Sequence, residues 1–279
     1  MFGSNYANHP ELLMQSLQEM SAQYEEFFHN SEGILIRKLQ TLYIKIFGVP
    51  EIGFQLRAKY YQKAMKLVSA DPKHILDIGS GIGSYVFDLS KRFPHAMVTG
   101  WEIDNFKLMS SRRLSQEFGA KNVNFQYGDI ERSVRTAQKY DLIITIDVLE
   151  HIQNYRQALK HIYAILAPGG YVYIHTPQEK QRRFFATLQS WSHEDHVREG
   201  FNPHDFLQEL SRLGFRVVST DYTFGNVGAF AWEVDHLLLS YNRYLTAIFY
   251  PALYAICLMD LLIKNTQGLG IAILVKKTS

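Results

Sequence analysis

The segment SWSHEDHVREGF, residues 190–201, carries a dense set of side chains that could do chemistry. His193 and His196 are three positions apart, so a helix would place both imidazoles on one face, where they could bind a metal ion or act as bases. The HExxH spacing of zinc enzymes is absent, and no cysteine lies nearby. The segment favours a metal-free site that contacts an acceptor or supplies a base, and a structural turn is the alternative.

A second stretch, HILDIGSGIGSYV at residues 74–86, joins a short apolar run to three glycines. Such a turn has no Cβ atoms, so backbone amides at the start of the following helix can approach a ligand closely. The next apolar run ends at Glu102, about 20 residues after Gly81, where a carboxylate can accept hydrogen bonds from ribose hydroxyls. We therefore predict a nucleoside ligand. The spacing is GxGxG and not GxGxxG, which weakens a pyrophosphate or nicotinamide interpretation.

Short apolar runs alternate with helical patterns from residue 71 onward, which predicts βαβ units around a parallel sheet. The predicted strands are 74–78, 97–102, 123–127, 141–146, 171–176, 216–222 and 270–276, and the helices between them are 83–92, 105–118, 155–166 and 203–213. Residues 1–70 show helical spacing alone and are predicted to form an N-terminal helical extension or lid. The core is then 71–279, with cap insertions at about 177–202 and 223–269.

The second insertion contains YLTAIFYPALYAICLMDLLI, residues 244–263, which is nearly long enough to span a membrane. A span here would pull the last predicted strand, GIAILVKK, out of the sheet. We therefore expect a helical hairpin that caps a hydrophobic pocket. A membrane-surface helix and a true span are the alternatives.

Composition limits the partners and the compartment. The net charge is +2, and the only compact basic cluster is Lys180, Arg182 and Arg183, so we expect no nucleic-acid partner. A single cysteine, Cys257, cannot form an internal disulfide. The N-terminal residues lack the pattern of a secretory signal. These features predict a cytoplasmic protein, with contact to a membrane surface as an option, and they leave the oligomeric state open.

Five motifs, in the order LDIGSGIGS, WEID, GDI, DVLEHI and LAPGGYVYIHTP, resemble the class I S-adenosylmethionine-dependent methyltransferase family, in the branch that includes ubiquinone-biosynthesis-like enzymes. The resemblance covers about residues 72–222 plus the final strand. It implies an α/β fold with a Rossmann-like, seven-stranded, mostly parallel sheet whose last strand is antiparallel, together with a helical cap. The implied cofactor is S-adenosyl-L-methionine, with S-adenosyl-L-homocysteine as the product.

The same resemblance implies which positions bind the cofactor, and these are Asp77, Gly79, Ser80, Gly81, Gly83, Glu102, Ile103, Asp129, Ile130, Asp147 and Leu149. Asp77 and the glycine loop would hold the methionine part, and Glu102 would hold the ribose. Asp129 would accept a hydrogen bond from the adenine amino group, and Ile103 and Ile130 would sandwich the adenine ring. Asp147 and Leu149 would border the methionyl end.

Methyl transfer requires a nucleophile aligned behind the methyl carbon, and a hydroxyl acceptor also needs a proton acceptor that titrates near neutral pH. The candidate bases are His151, His193 and His196, and Arg198 could clamp an anionic acceptor group. DVLE stands where enzymes that methylate the amino groups of nucleic-acid bases have NPPY or DPPY, which argues against that activity. The aromatic content of 14% and the apolar insertion favour O- or C-methylation of a lipid, isoprenoid, polyketide or aromatic metabolite. A macromolecule methyltransferase or a non-catalytic binding protein is the alternative.

Overall fold

The computed structural model describes residues 51–69, 71–132, 136–188 and 196–278. Helices and strands alternate along most of this described chain. The helices are α1 (Ile52–Met65), α2 (Ser84–Arg92), α3 (Asn105–Glu117), α4 (Tyr155–Ile165), α5 (Pro203–Arg212), α6 (Asn226–Tyr241) and α7 (Arg243–Met259). The strands are β1 (His74–Ile78), β2 (Met97–Glu102), β3 (Val123–Tyr127), β4 (Tyr140–Ile146), β5 (Leu166–Pro177), β6 (Phe215–Thr223) and β7 (Gly270–Lys277).

The seven strands form one sheet in the order β3-β2-β1-β4-β5-β7-β6. β1 pairs in parallel with both β2 and β4, whereas β7 is antiparallel to both β5 and β6. This confirms the predicted mostly parallel sheet with an antiparallel last strand. The order reverses between β1 and β4, and in open α/β sheets the crevice at such a reversal, beyond the carboxyl ends of the strands, is where ligands bind.

Consecutive residues of the central strands point to opposite faces of the sheet and enter two separate cores. Leu142 and Ile144 pack with α1, α2 and α3, whereas Ile143 packs on the other face with α4 and α5. These strands are apolar at successive positions because both faces are covered by helices. The protein therefore has three layers, and the edge of the sheet where the parallel strands end is left for a site.

The start of β5 differs from the sequence-based prediction, which began this strand at Tyr171. The observed strand begins at Leu166, which pairs with Tyr140 before a register shift. The four residues APGG looked like a loop, because Gly169 takes a positive φ of 73° and proline and glycine commonly mark turns. They instead form an irregular first part of the strand.

The apolar insertion forms a helical hairpin, α6 and α7, as predicted. Asp260, at the end of α7, is fully buried and accepts hydrogen bonds from Gly225 N at 3.3 Å, Gly228 N at 3.1 Å and Tyr60 Oη at 2.8 Å. This one carboxylate ties the hairpin to α1. Among the helices in the described ranges, none is long and apolar enough to cross a membrane.

Residues 1–50 lie outside the described residues, so the predicted N-terminal lid stays a prediction. The last helix of the predicted extension is described and is α1. Ile52, Leu56 and Tyr61 of this helix are fully buried in the core that also contains the central strands. α1 therefore packs as a layer of the sheet domain.

Asp235 of α6 is a buried carboxyl that makes the stability of the protein pH-dependent. It is 1% exposed, and burial, followed by the charge of Glu51, raises its pKa to about 8. The folded state keeps a proton on Asp235, whereas the unfolded state releases it above the usual pKa of an aspartate. The contribution of Asp235 to the free energy of unfolding is therefore fully present below about pH 4 and is lost progressively as the pH rises to about 8.

We expect Asp235→Asn to raise the melting temperature relative to the parent protein, and to raise it more at pH 8 than at pH 5, by on the order of 5 °C. The asparagine side chain is uncharged at both pH values. Its carbonyl oxygen can accept the hydrogen bond that Ile52 N donates to Asp235 in the parent protein. Thermal melts across this range measure the difference. The matched control is Asp71→Asn at an exposed position, and a difference that does not change with pH would contradict the prediction.

Candidate functional site

The glycine loop follows β1 and leads into α2. Gly79, Gly81 and Gly83 have φ values of 71°, 55° and 93°, in the left-handed region that favours glycine. A Cβ at Gly79 would lie 2.4 Å from Val148 Cγ2, and one at Gly83 would lie 2.5 Å from Phe125 Cζ, but one at Gly81 would meet nothing within 4 Å. The centre of the loop is therefore a backbone surface that is open to a ligand.

Two carboxylates lie beside this loop. Glu102 Oε2 accepts from Gly81 N at 2.7 Å, and its Oε1 accepts from the amides of Ile103 and Asp104, each at 2.9 Å. Asp77 is 2% exposed, and burial, followed by the charge of Glu102, raises its pKa. Within the described part of the chain, Asp77 Oδ2 has no hydrogen-bond partner. Buried acceptors beside an open loop fit a ligand rich in N–H and O–H donors, such as an ammonium group and ribose hydroxyls.

The three positions assigned to the adenine lie after β2 and β3. Ile103 is 61% exposed, whereas Ile130 is 3% exposed and packs in the core with α4. Asp129 Oδ1 accepts from Glu131 N at 3.0 Å, and its Oδ2 forms an ion pair with Arg132 Nε at 3.1 Å. The pair is solvent-exposed on the arginine side, so it is weak. The adenine assignments stay predictions.

Asp147 directly follows β4 and has a positive φ of 53°. Its Oδ1 lies 2.6 Å from His175 Nδ1, and its Oδ2 lies 3.2 Å from Arg57 Nε. Burial raises the pKa of Asp147, but the charges of His175 and Arg57 outweigh it and lower the pKa to about 2. His175 Nε2 lies 3.0 Å from Thr223 Oγ1. An ionised Asp147 therefore orients a buried histidine, whose other ring nitrogen faces the hydroxyl of Thr223.

Glu150 begins the turn toward α4 and is fully buried. Its Oε2 accepts from Thr176 Oγ1 at 3.2 Å, and its Oε1 has no hydrogen-bond partner among the residues described. Burial, followed by the charge of Asp147, raises the pKa of Glu150 to about 8. This carboxyl is therefore protonated at neutral pH. Leu149 beside it is fully buried in the core, so its proposed place at the methionyl end is untested.

His151 and His196 form an edge-to-face pair with ring centroids 4.4 Å apart. Together with Glu150 they offer one ligand atom each, all within 4.8 Å of one another. One carboxylate and two imidazoles can hold Zn²⁺ or Fe²⁺. The sequence-based expectation of a metal-free site is untested and stays a prediction. The third candidate base, His193, lies outside the described residues.

Arg198 was expected to clamp an anionic acceptor, and the structure gives it a different role. Its guanidinium donates to the carbonyls of Leu149 at 2.7 Å, Ile152 at 2.7 Å and Gln153 at 3.0 Å. It also lies over the ring of Tyr155 at 4.8 Å. Three carbonyl acceptors and a ring engage this cation, so Arg198 fastens the segment after His196 to the start of α4.

A cavity of about 190 Å³ opens at the carboxyl ends of β4 and β5. Asp147, Glu150, His175 and His196 line one part of it, and the remaining lining residues are Arg57, Pro177, Gln181, Arg183, Phe224, Trp232, Leu269 and Gly270. Polar groups that can move protons therefore line the same cavity as the aromatic rings of Phe224 and Trp232. Val148, which follows the lining residue Asp147, lies against Gly79, so one residue separates the cavity lining from a contact with the glycine loop.

Sequence reasoning missed His175, Arg57 and Arg183. His175 had one available signal, since it lies at the carboxyl end of a predicted parallel strand, where ligands bind. Arg183 was noted only as part of the basic cluster with Lys180 and Arg182, and Arg57 had no signal. They reach the cavity from the segment after β5 and from α1, respectively.

A glycine loop after β1, an acidic residue at the end of β2 and a cavity beyond β4 define a Rossmann-like protein that binds a nucleoside. A family model described as a methyltransferase domain matches residues 54–220, more than half of the chain. The chain belongs to this family of methyltransferases, and S-adenosylmethionine is the cofactor of the class.

Curated relatives match the central part of the chain. The ubiquinone biosynthesis O-methyltransferase of Coxiella burnetii is 29% identical over 133 residues, which are 48% of this chain and 54% of that protein. The chain thus spans about half the length of this relative. Its counterpart in Vibrio vulnificus is 27% identical over 150 residues.

Solved structures show the fold. The N-methyltransferase NodS from Bradyrhizobium japonicum, solved with S-adenosyl-L-homocysteine, has a TM-score of 0.51 at 16% identity and covers 80% of this chain and 87% of its own. At these identities such a likeness carries the architecture and does not identify the acceptor.

Proposed function

We propose that this protein transfers the methyl group of S-adenosylmethionine to an oxygen or carbon atom of a small hydrophobic or amphipathic acceptor. The observation that carries the proposal is the cavity beyond β4, whose lining combines Asp147 and His196 with the aromatic rings of Phe224 and Trp232. Its location beside the glycine loop would bring an acceptor and the cofactor to the same place. Its size suits the reactive part of a small molecule.

The donor supplies an electrophilic methyl group on a positively charged sulfur. Asp77, the open backbone surface at Gly81 and Glu102 would hold the cofactor, because they offer the acceptors and the cradle described above. The acceptor hydroxyl would form the new C–O bond as the S–C bond breaks, and its proton would pass to a histidine. The aromatic walls would exclude water and hold the acceptor in line, which can supply much of the rate.

His196 is the base that we propose. It lines the cavity beside Asp147 and interacts electrostatically with that carboxylate, which would stabilise the imidazolium formed when the acceptor loses its proton. His175 also lines the cavity, but it is 3% exposed and both of its ring nitrogens are engaged. We therefore assign His175 the role of positioning Asp147.

The assignment of Glu102 is tested by replacement. Glu102→Ala is expected to weaken binding of S-adenosylhomocysteine by about 10-fold to 150-fold, equivalent to about 1.5–3 kcal/mol, because a charge-assisted ribose contact is lost. Isothermal titration measures this affinity. The control is Glu117→Ala at an exposed position of α3, and unchanged affinity in Glu102→Ala would remove the central assignment.

The alternatives are a macromolecule methyltransferase and a methyltransferase-like protein without that activity. A fold neighbour, the [4+2]-cyclase SpnF, has a TM-score of 0.55 at 15% identity, so this architecture also serves other chemistry. Incubation with labelled S-adenosylmethionine and a metabolite extract separates the readings. Label in a small organic product supports the proposal, label in protein or nucleic acid supports the first alternative, and binding without transfer supports the second.

A further inference from the structure

Arg183 lines the cavity beyond β4 and also a second, larger one of about 340 Å³ beside it. The two cavities share Arg183, Phe224 and Leu269, so the guanidinium lies where they meet. The second cavity adds Lys180 and Arg182, together with Glu179, whose Oε1 lies 3.8 Å from Lys180 Nζ. An acceptor long enough to fill both cavities would therefore lie against the positively charged guanidinium of Arg183.

The guanidinium of Arg183 is held in place, but one of its nitrogens has no hydrogen-bond acceptor in the part of the chain that the structure describes. It lies over the indole of Trp232 at 4.7 Å, and its Nη2 donates to Gln181 Oε1 at 2.5 Å. Its Nη1 is buried and has no hydrogen-bond partner among the described residues. Burial lowers the pKa of Arg183, although the charge of Glu233 opposes this. A buried N–H without an acceptor costs free energy that a ligand oxygen would recover.

The nearby carboxylates already accept hydrogen bonds or form ion pairs with other groups. Glu233 is fully buried, and its Oε2 accepts from Phe184 N at 2.8 Å and from Phe185 N at 2.9 Å. Asp147 is paired with Arg57 and His175, and Glu150 Oε2 accepts from Thr176 Oγ1. Within the described ranges, no carboxylate lies within ion-pair distance of Arg183. The charge of Glu233 acts on Arg183 without a direct ion pair, so Nη1 stays open to a ligand oxygen.

We propose that Arg183 binds an anionic oxygen group of the acceptor, a carboxylate or a phosphate, at the junction of the two cavities. This inference rests on the proposed function and narrows its substrate class to amphipathic molecules that carry a negative charge. The planar fork of an arginine suits either group through paired N–H···O bonds. Gln181 and Trp232 fix the orientation of that fork, and Glu233 anchors the segment that carries it.

The test uses the full-length protein and three probes: benzoate, inorganic phosphate and neutral benzamide. Isothermal titration with saturating S-adenosylhomocysteine, and again without it, is expected to show binding of benzoate or phosphate and at least 10-fold weaker binding of benzamide. Arg183→Gln should weaken binding of the anion about 10-fold or more, and Arg183→Lys should weaken it less, because the charge remains while the fork is lost. Benzoate binding identifies a carboxylate site, and phosphate binding identifies a phosphate site.

The matched control is Arg216→Gln, an exposed arginine of β6, which should bind the anion like the parent protein. Thermal melts establish that each variant is folded. If neither anion binds, or if Arg183→Gln binds it as tightly as the parent protein does, the inference is wrong. If the parent protein does not bind S-adenosylhomocysteine, the result counts instead against the proposed function.

Discussion

Replacing His196 with glutamine is expected to lower kcat by about 10²-fold or more while the affinity for S-adenosylhomocysteine stays nearly unchanged. The imidazole lines the cavity beside an ionised Asp147, and glutamine keeps its polarity and approximate size but cannot take up a proton. Steady-state kinetics on an acceptor found in the extract experiment measure kcat, and titration measures the affinity. The loss should be larger for hydroxyl acceptors than for acceptors that need no deprotonation.

Three companion variants make this result specific. His204→Gln, at an exposed position of α5, should have normal turnover. His175→Gln should also lower kcat, and because Asp147 would keep only its ion pair with Arg57, the effect should include a changed pH profile. If His196→Gln keeps full turnover while His151→Gln or a His193 variant loses it, the base has been misassigned.

The same assay decides between a base and a metal ligand for His196. A chelator is expected to have no effect on turnover. If chelation abolishes activity and added Zn²⁺ or Fe²⁺ restores it, the cluster of Glu150, His151 and His196 is a metal site, and the metal-free prediction is the part that fails.

Alanine substitutions at two glycines of the loop are expected to have opposite signatures. Gly81→Ala should weaken S-adenosylhomocysteine binding by about 10-fold or more with only a small loss of stability, about 1 kcal/mol from the left-handed backbone. The new methyl group meets no protein atom within 4 Å and would extend into the space proposed for the cofactor. Titration and denaturant unfolding measure the two quantities separately.

Gly79→Ala should instead destabilise the fold by several kcal/mol. Its φ is 71°, and its Cβ would lie 2.4 Å from Val148 Cγ2, inside van der Waals contact. Val148→Ala should relieve the clash and restore part of the stability, which the double variant tests. If Gly81→Ala binds the cofactor normally, the open side of the loop is not the cofactor site.

The sequence alone determined the order of the elements and placed the glycine loop after β1 and Glu102 at the end of β2. Each strand that the alternating pattern predicted is present, and β1, β2 and β3 have the predicted bounds. This succeeded because a strand buried on both faces must be apolar throughout, and a tight turn with positive φ values needs glycine. The position of Glu102 beside the glycine loop was predictable because the end of a strand is a local feature of the chain, and its contact with the ribose stays a prediction.

Only the tertiary structure decided which side chains line the cavity beyond β4. Arg57 comes from α1, His175 from the end of β5 and Trp232 from α6, and these positions are more than 50 residues apart along the chain. A lone arginine on a helix reads as a solvated side chain until the fold places it against a carboxylate. Arg198, which looked like an anion clamp, binds carbonyls, whereas Arg183 meets both cavities. Pairing and burial depend on distances between elements distant in sequence, so local spacing could not reveal them.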